Sequence, residues 1–304
     1  MGFFGRKRAP SVPHPRKEPR FDGPLTLERL EQIFQDCVDF TKRPVSLGEG
    51  GACTLTLCYL SGMVKMERVS DYVLRPLAQD EALARCGTPR QAMEEMMGGA
   101  LYNLSAAERT TLDEAAFDLV AGWCLMFFPG ESAVLSLFVG TEEKRSISSP
   151  SNETVLKGSR DAFVESLRTN TSIVRRHLKT PELRIREQVV GRQSVTSVDI
   201  LYIEGLTNPH LVEQVAAQLA DIDIDAVLAT GNIEEYIVPA ARTAFPLVQY
   251  TERSDRFCAG LAEGRVGILI DGLPLGYLAP GVLGDFLQAP QDKSESWLLA
   301  SALT

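Results

Sequence analysis

Three aspartates alternate with isoleucines at Asp221, Asp223 and Asp225, and three carboxylates this close together could bind a divalent cation. A calcium-binding loop needs further ligands, notably a glutamate downstream at a fixed distance, and the sequence has none there. The alternative is a row of solvated carboxylates in which Asp225 caps the start of a helix. The sequence therefore predicts no metal site at these residues.

Other residue types that carry out chemistry are present without the partners that they need. The segment Gly48-Glu49-Gly50-Gly51 has the glycine content of a phosphate-binding loop, but such a loop follows a strand and opens a helix, whereas this one precedes a strand. The histidines His14, His177 and His210 have no serine or cysteine motif around them. The six cysteines form no CxxC pair, so we expect neither a zinc site nor a cofactor, and no enzymatic activity.

A small-molecule site is predicted at the end of a buried strand. Residues 198–203 are nearly all apolar, as in a central strand, and Glu204 and Asn208 follow them. In α/β sheets, ligands often bind beyond the carboxyl ends of strands, so these two are candidate ligand-binding residues. The alternative assigns Glu204 to a turn and Asn208 to the cap of a helix that begins at Pro209.

Polar and basic side chains cluster on the helix predicted over residues 163–178. Arg168, Asn170, Arg175 and Arg176 are candidates for an interface with a partner subunit. Two structural explanations stand beside this one. Cations in the last turn stabilise the negative end of the helix dipole, and Arg168 and Asn170 suit a buried polar contact.

Two halves of the sequence resemble each other. The strings Tyr59-Leu60-Ser61-Gly62 and Tyr202-Ile203-Glu204-Gly205 each close a predicted strand, and glycine pairs of equal spacing flank a predicted hairpin arm in each half. We therefore predict an α/β fold, with mixed sheets, in which residues 25–140 and 154–290 are two copies of one subdomain. Unlike strand orders in the two sheets would contradict this prediction.

The ends and the connection of these subdomains have a different composition. Residues 1–24 are rich in proline and basic residues and are predicted to be a disordered tail, and the polar residues 141–153 are predicted to be a linker. The net charge is −9, so the body of the chain is acidic and nucleic acid is not an expected partner. Neither a signal peptide nor an unbroken apolar stretch of about twenty residues is visible, so we expect a soluble chain.

Long strings of the sequence resemble the A subunit of spore germinant receptors, the GerA family. They are DAFVESLRTNTSIVRRHLKTPELRI (residues 161–185) and GRQSVTSVDILYIEGLTNPHLVEQV (residues 191–215), followed by DIDAVLATGNIEEYI and FPLVQYTERSDRF. The resemblance extends to about residue 291 and, more weakly, back to about residue 25, so it covers nearly the whole chain. Residues 291–304 depart from the family and are predicted to be an aberrant tail where the family enters its membrane region.

The resemblance implies a role in germination. In this family the corresponding region is the large amino-terminal domain on the cytoplasmic, or core, side of the spore inner membrane. The A subunit assembles with a multispanning B subunit and a lipoprotein C subunit into a complex that senses nutrient germinants. We expect the domain to couple sensing to germination through subunit assembly, with self-association as a further expectation, and through conformational change. The alternative is a free-standing cytoplasmic regulator that binds a small molecule.

Overall fold

Two compact units make up the chain, one centred on Met1–Glu143 and the other on Lys144–Leu178 and Glu182–Thr304. The computed structural model describes residues 20–47, 53–100, 105–140, 161–226 and 248–281. The predicted linker at residues 141–153 and the predicted tail at residues 291–304 lie outside the described residues, so both stay predictions.

The first unit is a five-stranded sheet with a hydrophobic core on each face. Its strands are β1 (Phe40–Leu47), β2 (Cys53–Leu60), β3 (Ala106–Arg109), β4 (Trp123–Phe127) and β5 (Val134–Phe138). Its helices are α1 (Leu27–Ile33), α2 (Met66–Arg68), α3 (Arg75–Gln79), α4 (Glu81–Ala84), α5 (Pro89–Glu95) and α6 (Leu112–Val120), with π-helical turns at Val69–Leu74 and Met96–Ala100. The strand order is β1-β2-β4-β5-β3.

The alternation of side chains along β2 builds both cores of this unit. Leu55 and Leu57 pack with the layer that runs from the π-helical turn at Val69–Leu74 to α5, whereas Cys58 and Leu60 pack with α1 and α6. Thr111 begins α6 by accepting a hydrogen bond from a backbone N–H of the first turn at 3.3 Å. The second half of β2, residues 57–60, is buried on both faces and is therefore apolar on both, whereas its first half alternates buried leucines with less buried threonines.

The second unit is built in the same way. Its strands are β6 (Leu183–Val190), β7 (Thr196–Ile203), β8 (Gln249–Thr251), β9 (Val266–Ile270) and β10 (Gly276–Ala279), and its helices are α7 (Leu167–His177), α8 (Pro209–Ala220) and α9 (Ser254–Ala262). The strand order is β6-β7-β9-β10-β8. One core lies between the sheet and the pair α7 and α9, and the other between the sheet and α8.

The strand order is the same in both sheets when the strands of each unit are counted along the chain. The register agrees as well. Arg109 of β3 pairs with Val134 of β5, and Thr251 of β8 pairs with Gly276 of β10. The separation in sequence between Arg109 and Thr251 equals that between Val134 and Gly276, so the equivalent strand pairs have the same register. The prediction of two α/β subdomains in tandem is confirmed.

The sheets differ from the prediction in the direction and number of their strands. Every strand pair in the described residues is antiparallel, so the sheets are antiparallel where mixed sheets were expected. The sequence pattern also fails to predict β1 and β3, the two edge strands of the first sheet. In β1 the exposed residues Lys42, Arg43 and Pro44 interrupt the alternation, as is common in edge strands.

The predicted disordered tail extends too far into the first unit. The backbone N–H groups of Arg20 and Phe21 donate to Oδ1 of Asp113 at 3.0 and 3.3 Å. Phe21 also packs against the core that contains α1 and α6. Residues 20–24 therefore belong to the folded unit, and residues 1–19 lie outside the described part of the chain.

Candidate functional site

The candidate ligand-binding residues lie in the turn that joins β7 to α8. The side chain of Asn208 accepts a hydrogen bond from the backbone N–H of His210 at 3.0 Å, which makes Asn208 the cap of α8. Glu204 is exposed, and its Oε2 lies 3.9 Å from Nε of Arg184. The turn and cap assignments account for both side chains, and binding of a small molecule at Glu204 and Asn208 stays a prediction.

Arg168 connects α7 to the first two strands of the second sheet. Its guanidinium donates to Oε2 of Glu187 at 2.6 Å and to Oδ2 of Asp199 at 3.2 Å. Asp199 is fully buried on β7 and also accepts from Oγ1 of Thr171 at 2.9 Å. Burial acts to raise the pKa of Glu187, but hydrogen bonds from Ser197 and Arg168 outweigh it and lower that pKa. Half of the Arg168 side chain is exposed (50%), so it also remains accessible to a partner.

Asn170 forms a closed pair of hydrogen bonds with one backbone residue. Its Oδ1 accepts from the N–H of Val164 at 2.8 Å, and its Nδ2 donates to the C=O of Val164 at 2.6 Å. Asn170 is fully buried, so this bond pair fixes the backbone just before α7. The structure thus shows the buried polar contact, which the sequence left as one of two alternatives for Asn170.

Arg175 and Arg176 are neighbours in the sequence with different surroundings. Arg175 is fully buried, and its Nη1 donates to the C=O of Leu183 on the edge strand β6 at 2.9 Å. Arg176 is exposed. Burial removes Asn170 and Arg175 from any surface that a partner could touch. The predicted partner interface is therefore reduced to Arg168 and Arg176, for which it stays a prediction.

The lead-in segment (residues 161–166), which precedes α7, is held by the first turn of α9. Ser254 donates from its backbone N–H and its Oγ to the C=O of Asp161 at 3.2 and 2.9 Å. Arg253 occupies the cap position of α9, so the hydroxyl of Ser254 serves this contact and does not cap the helix. Ser254 and Asp161 are 93 positions apart, so no local sequence pattern could reveal their contact.

His177 joins this cluster without forming a catalytic arrangement. Its Nε2 lies 3.2 Å from Oγ of Ser254 and 3.7 Å from Oδ2 of Asp161. Proton relay through a histidine needs the nucleophile on one ring nitrogen and the carboxylate on the other. Both neighbours meet the same nitrogen here, so the geometry favours a structural role for His177.

Three of the buried cysteines are poor nucleophiles. Burial raises the pKa of Cys58 and of Cys258 to about 12, and it raises the pKa of Cys124 well above the usual value. A thiol with such a pKa stays protonated near neutral pH, whereas the thiolate is the reactive form. These three cysteines act as core residues.

Among the described residues, the row of aspartates forms no metal site. Asp223, from the row of aspartates, pairs with Arg192 at 2.6 Å. Across the described residues, no three histidine, cysteine or acidic side chains are grouped closely enough to hold a metal ion. The glycine-rich segment Gly48-Glu49-Gly50-Gly51 lies outside the described residues.

Comparison with known proteins places the chain in a family. Residues 28–304 match the model of the Bacillus/Clostridium GerA spore germination protein. The chain belongs to the GerA family. The resemblance that the strings at residues 161–185 and 191–215 carry is therefore confirmed, and with it the connection to spore germination.

Two relatives in this family come from Bacillus subtilis strain 168. The uncharacterized membrane protein YfkQ is 34% identical over 277 residues, which are 91% of this chain and 53% of YfkQ. Spore germination protein KA is 32% identical over 267 residues, which are 87% of this chain and 48% of that protein. The chain spans about half the length of the curated relatives it matches.

A solved structure of a spore germinant receptor domain has a similar fold. The crystal structure of the N-terminal domain of the A subunit of the Bacillus megaterium spore germinant receptor GerK3 matches with a TM-score of 0.69 and 27% sequence identity. The match covers 87% of this chain and 99% of that chain.

Within the part of the chain that the structure describes, no helix has the length and apolar character needed to cross a bilayer.

Proposed function

We propose that this chain is the amino-terminal domain of a germinant receptor A subunit, and that it couples the sensing of a nutrient to germination through subunit assembly and conformational change. The likeness to the GerK3 domain carries this proposal, because it covers 99% of that domain at 27% identity. Membership of the GerA family, which includes spore germination protein KA, supports the role in germination.

The proposal gives the domain a coupling role and no catalytic one. The buried thiols and the arrangement around His177 favour this assignment, because neither offers an activated nucleophile. A coupling domain needs two arrangements whose balance shifts when a partner or ligand binds. Two compact units in one chain are suitable parts for such a shift.

We assign the partners from the family. The chain would assemble with a B subunit and a C subunit at the spore inner membrane, on the core side. The proposed contacts with a partner are Arg168 and Arg176, because Arg176 is exposed and the Arg168 side chain is half exposed. A guanidinium at such a place suits a carboxylate of the partner.

Germination of spores tests the proposal. The gene is placed, with its B and C partner genes, in a strain from which the other GerA-family operons are deleted. Dipicolinate release is then followed after addition of amino acids, sugars or nucleosides. We expect a response to at least one nutrient that is lost when this gene alone is removed. Spores that respond equally well without the gene would contradict the proposal.

Two charge reversals refine the test. Arg176→Glu should slow the response and reduce co-purification of the partner subunits, with the amount of the chain unchanged. Arg85→Glu is the matched control, since Arg85 is a similarly exposed arginine in a surface pair with Glu81. Equal effects of the two reversals would argue against an interface at Arg176.

Ligand binding by the isolated chain separates this function from the alternative. If the chain alone binds a nutrient tightly, if Glu204→Gln and Asn208→Ser weaken that binding, and if germination does not depend on the gene, the chain is a free-standing regulator.

A further inference from the structure

The helices α6 and α9 occupy the same position in the two units. Each has nine residues and is followed by a glycine with positive φ, Gly122 at +85° and Gly264 at +87°. The strands that follow pair in matching register. One pair of opposite residues on these strands is Leu125 with Ser136 in the first unit, and the equivalent pair in the second unit is Gly267 with Leu278.

At the first helix–sheet contact, α6 places a carboxylate over its sheet. Asp118 is 2% exposed, and its Oδ2 accepts from Oγ of Ser136 at 2.6 Å and from Nε of Arg109 at 2.7 Å. The guanidinium carbon of Arg109 lies 5.7 Å from the centre of the Trp123 ring. The small serine on the strand leaves room for the larger side chain on the helix.

In the second unit the small residue at this contact lies on the helix and the large one lies on the strand. Gly260 takes the place of Asp118 on the helix, and Leu278 takes the place of Ser136 on the strand. A Cβ atom at Gly260 would lie 2.5 Å from Cδ1 of Leu278. Both residues are buried, so the leucine needs the space that the glycine leaves.

At a second helix–sheet contact, the second unit has the large residue on the helix and the small residues on the strands. Phe257 of α9 packs over Gly267 and Gly276, and a Cβ atom at Gly276 would lie 2.6 Å from Cδ2 of Phe257. The helix therefore supplies the bulk and the strands supply none. The equivalent residues of the first unit, all buried in one core, are Ala115 on the helix and Leu125 and Val134 on the strands.

We propose that these reversed contacts direct each helix to its own sheet, and so keep two tandem copies with one strand order from exchanging parts during folding. On the second sheet, α6 would press Asp118 against Leu278 and leave the place of Phe257 empty. On the first sheet, α9 would overlap Leu125 and leave Arg109 without its carboxylate. Overpacking and a buried unpaired charge are both strongly unfavourable.

The need for such a device follows from the likeness of the units. Misassembly between similar parts is a characteristic failure of chains with repeated domains. Strand order and register cannot prevent it here, because both are shared. Side-chain shape and charge at the helix–sheet contacts can prevent misassembly. At one contact the larger side chain lies on the helix in the first unit, and at the other it lies on the helix in the second unit.

Exchange of the first contact between the units tests the proposal. The first variant carries Arg109→Thr, Asp118→Gly and Ser136→Leu, the second carries Thr251→Arg, Gly260→Asp and Leu278→Ser, and the third carries all six substitutions. Each full chain is refolded from urea. The misassembled fraction is the sum of two species: oligomers from exchange between chains, measured by size exclusion with light scattering, and monomers in which α6 and α9 have lost amide-exchange protection. In the first two variants the first contact is the same in both units and only the second contact still discriminates between them, so we expect that fraction to rise at least about tenfold. The third variant has two different contacts again and should return to the wild-type level.

A destabilising control separates loss of discrimination from loss of stability. Leu30 is fully buried in α1 and lies outside both contacts, so Leu30→Ala should lower stability without raising the misassembled fraction. An equal rise with Leu30→Ala would overturn the proposal. So would wild-type refolding of the first two variants, or a third variant that misassembles as they do or does not fold.

Discussion

The two units hold their incoming chain at the same place by different chemistry. In the first unit, residues 20–21 donate two backbone N–H groups to the carboxylate of Asp113, in the first turn of α6. In the second, Ser254 in the first turn of α9 donates to a backbone oxygen, that of Asp161. Asp255, at the position equivalent to Asp113, pairs with an arginine just before the helix instead. The place of the attachment is common to both units, whereas its bonds are not.

The first edge strands of the two sheets show the same contrast. The edge strand β1 carries the exposed Pro44 in its middle, and a proline blocks further pairing because it has no N–H to donate. The equivalent strand β6 has no proline, and the buried Arg175 donates to its Leu183 carbonyl at 2.9 Å instead. The comparison teaches that backbone order is shared between the copies, while each copy satisfies its polar groups in its own way.

The largest expected effect belongs to the carboxylate that the first unit has and the second lacks. Asp118→Ala leaves the guanidinium of Arg109, whose side chain is 12% exposed, without its partner, which should cost about 3–5 kcal/mol of unfolding free energy. Urea unfolding followed by tryptophan fluorescence measures this loss. The control Glu81→Ala breaks the exposed pair with Arg85 and should cost less than about 0.5 kcal/mol. Similar small losses in both variants would mean that the buried pair contributes no more than a surface pair.

The edge of the second sheet should give the next largest effect. Arg175→Met keeps the length of the side chain but removes the donor to Leu183, so we expect a loss of about 2 kcal/mol in urea unfolding. The neighbouring Arg176 is exposed, and Arg176→Met should change stability by less than about 0.5 kcal/mol. If the two substitutions had equal effects, Arg175 would not secure β6.

The sequence reveals the features of this fold that the two copies share and those that depend on local sequence alone. Gly62 and Gly205 both have positive φ, at +81° and +76°, and only a residue without a Cβ adopts that conformation freely, so the repeat is visible in the glycine spacing. The cap at Asn208 is equally predictable, because capping depends on local sequence.

The polar contacts that join distant parts of the chain, and that are specific to each copy, are hidden from sequence reasoning. Arg175 stands in a run of cations at a helix end and looks like a surface residue, although it is fully buried. Its burial depends on β6, which follows later in the chain, and the attachment of Ser254 to Asp161 spans 93 positions. Periodicity and local motifs carry no information on such contacts.

A smaller effect should separate the two assignments of the turn after β7. Asn208→Ala removes the cap of α8 and should cost about 1 kcal/mol, together with faster amide exchange in the first turn of that helix. Glu204→Gln at the exposed neighbour should stay within about 0.5 kcal/mol of the wild type. Unchanged exchange in Asn208→Ala would leave the cap without effect and favour the ligand assignment.

The smallest expected effect is a dependence of stability on pH that comes from the pair of Asp255 with Arg253. Burial acts to raise the pKa of Asp255, but the hydrogen bonds and charge of Arg253 outweigh it, so the folded protein lowers that pKa. A lowered pKa stabilises the fold above the unfolded value of about 3.9, and this contribution is lost as the pH falls through the folded value below it. The stability difference between the wild type and Asp255→Asn should therefore be constant from pH 7 to pH 5 and shrink in more acidic solution, as measured by urea unfolding at each pH. A difference that grows on acidification would show that Arg253 does not hold this carboxylate in its charged form.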